Sequence, residues 1–262
     1  MPKPAESMRR DWDARARRDA FFYIASWKQD WKERSFLESG EEDYQRLIAD
    51  TLARLDFDPA GKSALELGCG AGRMTASIAR RFARVAALDI SAEMLDRARR
   101  LHTEVRNVDW MRANGIDLAG VADGSMDFVF SYLVLQHLPK ESLVRGYVRE
   151  FFRVMSPSGL CLVQFNGSTD ANMNWRGRAT WRALDFLWSI GLSGASKILA
   201  RALGLDAEMI GRNWHGVAVS SARMAAMVRE CGGRVLELRG DDSPMAWCCA
   251  RKGTESPASR TI

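Results

Sequence analysis

The sequence predicts an α/β fold: a doubly wound, mostly parallel seven-stranded sheet with an antiparallel last strand, an N-terminal helical cap and a helical insertion after strand 5. Three observations carry this reading. Short apolar runs of strand type alternate with helical periods from Ser63 to Phe165, the signature of a parallel sheet covered on both faces. Helical patterns precede that stretch and follow it as far as residue 214. The last two strand runs, Arg234–Leu238 and Met245–Arg251, are joined by the short turn Gly240-Asp-Asp-Ser-Pro244, which sends the final strand back antiparallel. The expected organisation is a cap over 1–58, a core over 59–165, a lid over 166–214, a closing helix and strand pair over 215–252, and a disordered tail over 253–262.

Taken in order, residues 7–38 read as helical and carry Trp12, Phe21, Phe22, Tyr23, Trp27, Trp31 and Phe36, suited to a flap packed on the main core. A second helix is expected to open at Ser39, because Glu42 stands at capping-box spacing. Tyr44, Leu47, Ile48, Leu52 and Leu55 give that helix one apolar face. The core then runs as strand Ala64–Leu67, helix Met74–Phe82 and strand Arg84–Leu88 ending at Asp89. A helix with Ser91 as its N-cap follows. Next come strand Val105–Met111, a loop through 114–118, strand Asp127–Ser131, helix Glu141–Met155 and strand Leu160–Phe165. Right-handed crossovers place ligands at the carboxyl ends of such strands. Residues 166–214 mix Trp175, Trp181, Phe186 and Trp188 with arginines. Gly191, Gly194 and Gly204 interrupt any long amphipathic face, which favours a packed lid over a membrane-surface helix.

Composition narrows the function classes. An apolar share of 47% supports one substantial core, and 27% charged residues suit a soluble chain. The net charge is +5, but the densest basic group (Arg9, Arg10, Arg15, Arg17, Arg18) is interleaved with Asp11, Asp13 and Asp19. That pattern is a solvated helix face and not a nucleic-acid groove. The five cysteines form no C-x-x-C pair, and the three histidines lie far apart, so neither a metal site nor a disulfide scaffold is expected. No apolar run approaches a membrane span, and the N-terminus lacks a signal-peptide core. A cytoplasmic protein without stable membrane insertion is the expectation.

The chemistry centres on Ser63-Ala-Leu-Glu-Leu-Gly-Cys-Gly-Ala-Gly-Arg-Met-Thr75, a strand, a tight glycine turn and the start of a helix. A dinucleotide turn wants G-x-G-x-x-G; here the third glycine, Gly72, comes one residue early, and no Gly-Lys-Ser/Thr follows for a phosphate loop. Asp89 at the second strand's tip is placed to accept both hydroxyls of a ribose. Glu66-Leu-Gly-Cys-Gly-Ala-Gly72, with Asp89 beyond it, resembles the acidic-x-Gly-x-Gly-x-Gly signature of the class I, Rossmann-like S-adenosylmethionine-dependent methyltransferases, and the resemblance covers about Ser63 to Phe165. It implies S-adenosyl-L-methionine as cofactor. Glu66, Leu67, Gly68, Cys69, Gly70 and Gly72 would lie at its methionine portion, Asp89 at the ribose, Ile90 and Met94 beside the adenine, and Asn114 with Gly115 reading the adenine edge. Ser131 to His137 is similar to the segment after the family's fourth strand, which lines both ligands. Tyr23, with Trp12, is placed to close over the cofactor from the flap.

Methyl transfer from a sulfonium needs alignment and exclusion of water, and a base only where the nucleophile starts protonated. His137, just past the fourth strand, is the candidate catalytic base, although capping the loop before Pro139 is an equally simple role for it. Tyr132, Gln136, Asn166 and Trp175 are candidate substrate contacts by position. His102 ends a helix where a cation is welcome. Cys69 reads as a small residue in a tight space, and Cys248 and Cys249 as one core and one surface residue. The expected partner is a small-molecule acceptor methylated on O, N or C. The alternatives are an RNA or protein acceptor, or a cofactor-binding module without catalysis.

Overall fold

A computed structural model describes residues 4–168, 180, 183–184, 186–187, 192–203 and 216–253. The chain opens with α1 (Pro4–Ile24) and α2 (Glu33–Asp43), then a π-helical segment Tyr44–Ala49 and α3 (Asp50–Arg54). The core follows as β1 (Ser63–Leu67), α4 (Thr75–Ala79), β2 (Arg84–Asp89), α5 (Ala92–Leu101), β3 (Val108–Arg112), β4 (Met126–Ser131), a 3₁₀ turn Leu135–His137, α6 (Glu141–Val154) and β5 (Met155–Phe165). Helix α7 (Ser193–Ala202) belongs to the insertion after β5, and α8 (Ser221–Glu230), β6 (Gly233–Arg239) and β7 (Ala246–Lys252) close the chain.

The seven strands lie in the order β3-β2-β1-β4-β5-β7-β6. β1 through β5 pair in parallel, while β7 pairs antiparallel with both β5 and β6. Side chains alternate between two buried layers, as a sheet covered on both faces requires. Leu65, Leu67, Val129 and Val163 pack with α6 and α8, whereas Ala64, Phe128, Phe130 and Leu162 pack with Ile48, Leu52 and Ile78. Cys248 and Cys249 fall in opposite layers. Both are buried, which corrects the expectation that one is a surface residue: with both faces covered, alternation leads from core to core.

The cap departs from its expected boundaries. Residues 7–38 are not one helix; α1 ends at Ile24, and α2 starts at Glu33 after Lys32, whose extended backbone marks the N-cap position. Ser39 lies inside α2 and not at a helix start. Its hydroxyl donates back to the Phe36 carbonyl at 2.7 Å, so the capping-box spacing is coincidental. Burying Phe36 against Phe21 and Trp31 draws the helix start forward. Ser91 does cap α5, accepting from Met94 N at 3.2 Å. Asp19 interrupts α1 with non-helical angles (φ −162, ψ 89) and accepts from Phe22 N at 3.0 Å. Ala16 and Ala20, on either side of that break, both pack on Met94 of α5.

Candidate functional site

The strand order reverses between β1 and β4, since β1 leads outward to β2 and β3 while β4 leads the other way to β5 and β7. Ligands of doubly wound sheets sit outside the strand ends at such a point. The register brings Leu67 level with Leu88 and with Ser131, so the segments that follow β1, β2 and β4 converge on one edge. A cavity of about 1110 Å³, its open mouth included, lies there.

The turn after β1 explains its own glycines. Gly68 has φ +78 and Gly70 φ +55, in the left-handed region that side chains disfavour. A Cβ on Gly68 would overlap Val134 Cγ2, and one on Gly70 would stand 2.8 Å from Ile24 Cδ1. The turn is held to β2 by hydrogen bonds from Gly68 N and Cys69 N to the Leu88 carbonyl (2.6 and 3.0 Å). Gly70 N then donates to Asp89 Oδ2 at 2.9 Å and Ser91 N to Asp89 Oδ1 at 2.8 Å. Each Asp89 oxygen thus takes one backbone N–H and keeps a second lone pair, and the residue lines the cavity. Burial raises its pKa to about 6, with a smaller push from Asp13, against the backbone amides of Ser91, Gly70 and Ile90, which lower it. Glu66 accepts from Thr75 Oγ1 at 2.6 Å. Burial raises it further, to about 7, opposed by the Thr75 hydroxyl and by Arg73.

Leu67, Gly68, Cys69 and Gly70 line this end of the cavity with Glu66 and Asp89, and Ile90, Met94 and Gly115 continue it. From the flap, Tyr23 and Trp12 form part of its wall, and from the segment after β4 come Tyr132, Gln136 and His137. Trp12 meets His137 edge-on at 5.3 Å, so flap and loop touch across the cavity. Burial holds the Cys69 thiol well above its ordinary pKa, which leaves it a small inert residue in the turn.

Other candidates are placed elsewhere. Gly72 (φ +81) faces His102 and Trp110 and is absent from the cavity wall; its lack of a Cβ admits the His102 ring. His102 stacks on Trp110 at 5.7 Å, and burial lowers its pKa, so a neutral packed ring replaces the expected helix-end cation. Asn114 does not reach the cavity, because its Oδ1 accepts from Ile116 N and Asp117 N at 2.8 and 2.9 Å, an Asx turn closing its own loop. Ser131 is fully buried behind the strand ends and donates to the Leu67 carbonyl at 3.3 Å. Asn166 turns outward, its Oδ1 accepting from Ser168 N at 3.1 Å. Trp175 and His215 lie outside the described residues.

Sequence reasoning missed Met8, Ala113, Tyr147 and Arg73, which also line the cavity. Arg73 is the least expected: it is 3% exposed, donates to Asp43 Oδ2 at 2.7 Å and to the Ser39 carbonyl at 3.1 Å, and sits 5.1 Å from the Trp27 ring centre. The only sequence signal was Asp43 ending an acidic run. Asp43 is offset here by two guanidinium groups, since Arg46 also donates to it at 2.6 Å.

A glycine turn at the tip of β1, an acid at the tip of β2 and a cavity at the strand-order reversal define a Rossmann-like domain for an adenosine-bearing cofactor. Residues 65–163 match the methyltransferase domain family. The chain is 32% identical over 171 residues to trans-aconitate 2-methyltransferase of Azoarcus sp. (strain BH72), covering 64% of this chain and 62% of that protein. It is 33% identical over 129 residues to the ubiquinone biosynthesis O-methyltransferase of Psychrobacter cryohalolentis, covering 47% and 49%. The chain therefore spans less than two thirds of these relatives. In fold it is similar to magnesium protoporphyrin IX methyltransferase of Synechocystis, solved with bound S-adenosylhomocysteine, with a TM-score of 0.62, 17% identity and coverage of 96% and 100%. The residues present fit S-adenosylmethionine: the Cβ-free approach at Gly68 and Gly70 and the carboxylate of Asp89 at the cavity wall are what a close-lying methionine chain and a ribose would require. Among the described residues no helix is long and apolar enough to cross a membrane.

Proposed function

We propose that the protein transfers a methyl group from S-adenosylmethionine to a small-molecule acceptor, with oxygen the favoured nucleophile. The observation that carries this is the single cavity whose wall joins Gly68, Gly70 and Asp89 at one part to Tyr132, Gln136 and His137 at another, so that cofactor and acceptor meet in one enclosed space. The names of the relatives support a small acceptor, and the second supports oxygen. The cofactor supplies an activated methyl group on a sulfonium.

The chain's own residues do the rest. Asp89 and the backbone of the glycine turn hold the ribose and methionine parts, with Ile90 and Met94 against the base. Tyr132 and Gln136 contact the acceptor. His137 takes the acceptor's proton as the carbon–oxygen bond forms, leaving S-adenosylhomocysteine, the methylated acceptor and a protonated imidazole that returns its proton to water. Trp12, Tyr23 and Ile24 roof the cavity and keep water out.

The test is binding followed by turnover. Calorimetry should detect S-adenosylhomocysteine, and a panel of small hydroxyl- and carboxyl-bearing acceptors should release it from S-adenosylmethionine. No measurable binding sinks the reading. Binding without release for any small acceptor, but with release for RNA or protein, replaces it by a macromolecular acceptor.

A further inference from the structure

Gln164 is the one glutamine of β5, 0% exposed, and does not touch the cavity. An amide buried in a strand must satisfy one acceptor and two donor hydrogens, and an unmet one costs about 1–3 kcal/mol. Its orientation follows from backbone groups that have only one role. Leu133 N can only donate, and it reaches Gln164 Oε1 at 3.0 Å. The Phe165 and Pro244 carbonyls can only accept, and they meet Gln164 Nε2 at 3.0 and 2.8 Å. Three main-chain atoms thus agree on which end is oxygen and which is nitrogen.

The consequence passes to the next amide. Gln164 Nε2 also stands 3.1 Å from Gln136 Oε1, its two hydrogens shared among three acceptors; an NH₂ of Gln136 in that place would set donor against donor, so the near end of Gln136 is its oxygen and the far end its NH₂ group. That NH₂ lies 3.3 Å from His137 Nε2. A ring nitrogen facing a donor must offer its lone pair, so the ring proton stands on the other nitrogen.

We infer that Gln164 is a positioning residue which, through Gln136, holds neutral His137 with its proton on Nδ1 and its lone pair on Nε2. The same amide holds Leu133, whose φ of +58 is uncommon for a leucine and calls for a fixed partner. One buried side chain therefore sets both the path of the loop after β4 and the protonation pattern of the histidine on it. The bearing on catalysis rests on His137 acting as the base proposed above, which requires the acceptor hydroxyl to take the place of the Gln136 NH₂ at Nε2; the tautomer does not rest on it.

The test reads the ring directly. Nitrogen NMR of the uniformly labelled full chain at alkaline pH, where the ring is neutral, with His137→Gln to assign the signal among the three histidines, should show His137 as the Nδ1–H form. In Gln136→Glu the replacing carboxylate accepts only, so the proton should move to Nε2; in Gln164→Met, which keeps the strand filled, Gln136 loses its orienting partner and the two tautomers should mix. A wild-type ring protonated on Nε2, or a ring unchanged by Gln136→Glu, overturns the inference. A purely structural role for these amides would lower stability without moving the ring proton. If the proton moves but kcat does not fall, the tautomer assignment stands and His137 is not the base.

Discussion

The two parts of the cavity are held in different ways. At the cofactor end, main-chain groups do the holding: Gly68 N and Cys69 N bind the Leu88 carbonyl, and Gly70 N and Ser91 N bind Asp89. At the acceptor end, side chains do it, with Gln164, Gln136 and His137 passing hydrogen bonds along a line. A main-chain frame accepts one substitution at a time only where no Cβ is needed, whereas a side-chain relay can be rebuilt for another acceptor. One fold can therefore keep its donor and vary its acceptor.

That contrast is breakable from both ends. The largest effect is expected at the acceptor end: His137→Gln should cut kcat by about 10²–10⁴, the usual range for a lost general base, while S-adenosylhomocysteine affinity by calorimetry stays within about threefold. A rate unchanged by this substitution removes the base from the mechanism. At the cofactor end, Asp89→Ala should weaken S-adenosylhomocysteine by about 100-fold or more, because two ribose contacts go and the Gly70 and Ser91 amides lose their acceptor. Gly68→Ala combines a left-handed φ with overlap on Val134. It should destabilise the protein by more than about 2 kcal/mol in chemical denaturation; a neutral result would show that the turn and the loop after β4 separate easily.

A smaller effect separates the ends by pH. Asp89 and Glu66 have pKa values raised by burial to about 6 and about 7, so between their unfolded values and these the native state binds more protons than the unfolded one. Stability of the free protein contributed by these groups is fully present below pH ~4 and is lost as pH rises towards 7, on the order of 3 kcal/mol per group. His102, lowered by burial, works the opposite way near its ordinary range. Thermal melts of wild type and Asp89→Asn between about pH 4.5 and about pH 7 should differ in slope, with the variant flatter. Cofactor affinity should run against stability and fall as Asp89 protonates below pH ~6. Parallel slopes would place the Asp89 titration outside this window.

The donor end was legible in the sequence because its demands fall on residue types with few alternatives. A left-handed turn that another chain must approach calls for glycine, and a strand tip that takes hydroxyls calls for an acid. The doubly wound, mostly parallel sheet followed from the alternation of strands and helices and the right-handed crossover rule, whereas the place of β7 between β5 and β6 did not. Asn114 misled because an asparagine after a strand has its own loop to close, and Ser131 because a strand's last side chain can point behind the tip as readily as towards it. The acceptor end was legible at Tyr132, Gln136 and His137 by position, but not in how they are held. Gln164 is a lone amide in the run Leu160–Phe165, and nothing local shows that its partners lie 31 residues earlier and 80 later. Arg73 was hidden similarly, since its partner Asp43 stands 30 residues away.

The roof has a consequence for timing. Asp13 of α1 accepts from the Ser91 hydroxyl at 2.7 Å, Arg17 pairs with Glu93 at 3.0 Å, and Ile24 lies over Gly70. The helix that covers the cofactor is thus latched to the start of α5, the helix that follows the ribose-binding acid. A cofactor bound beneath α1 would leave as α1 moves, so that its departure after the proposed transfer would be an event with a clock of its own. Turnover should slow as solvent viscosity is raised, and Arg17→Ala, which removes one exposed fastening, should weaken that dependence slightly. The first two dozen residues, which look like an ornament on the fold, would then govern how often the site can be used.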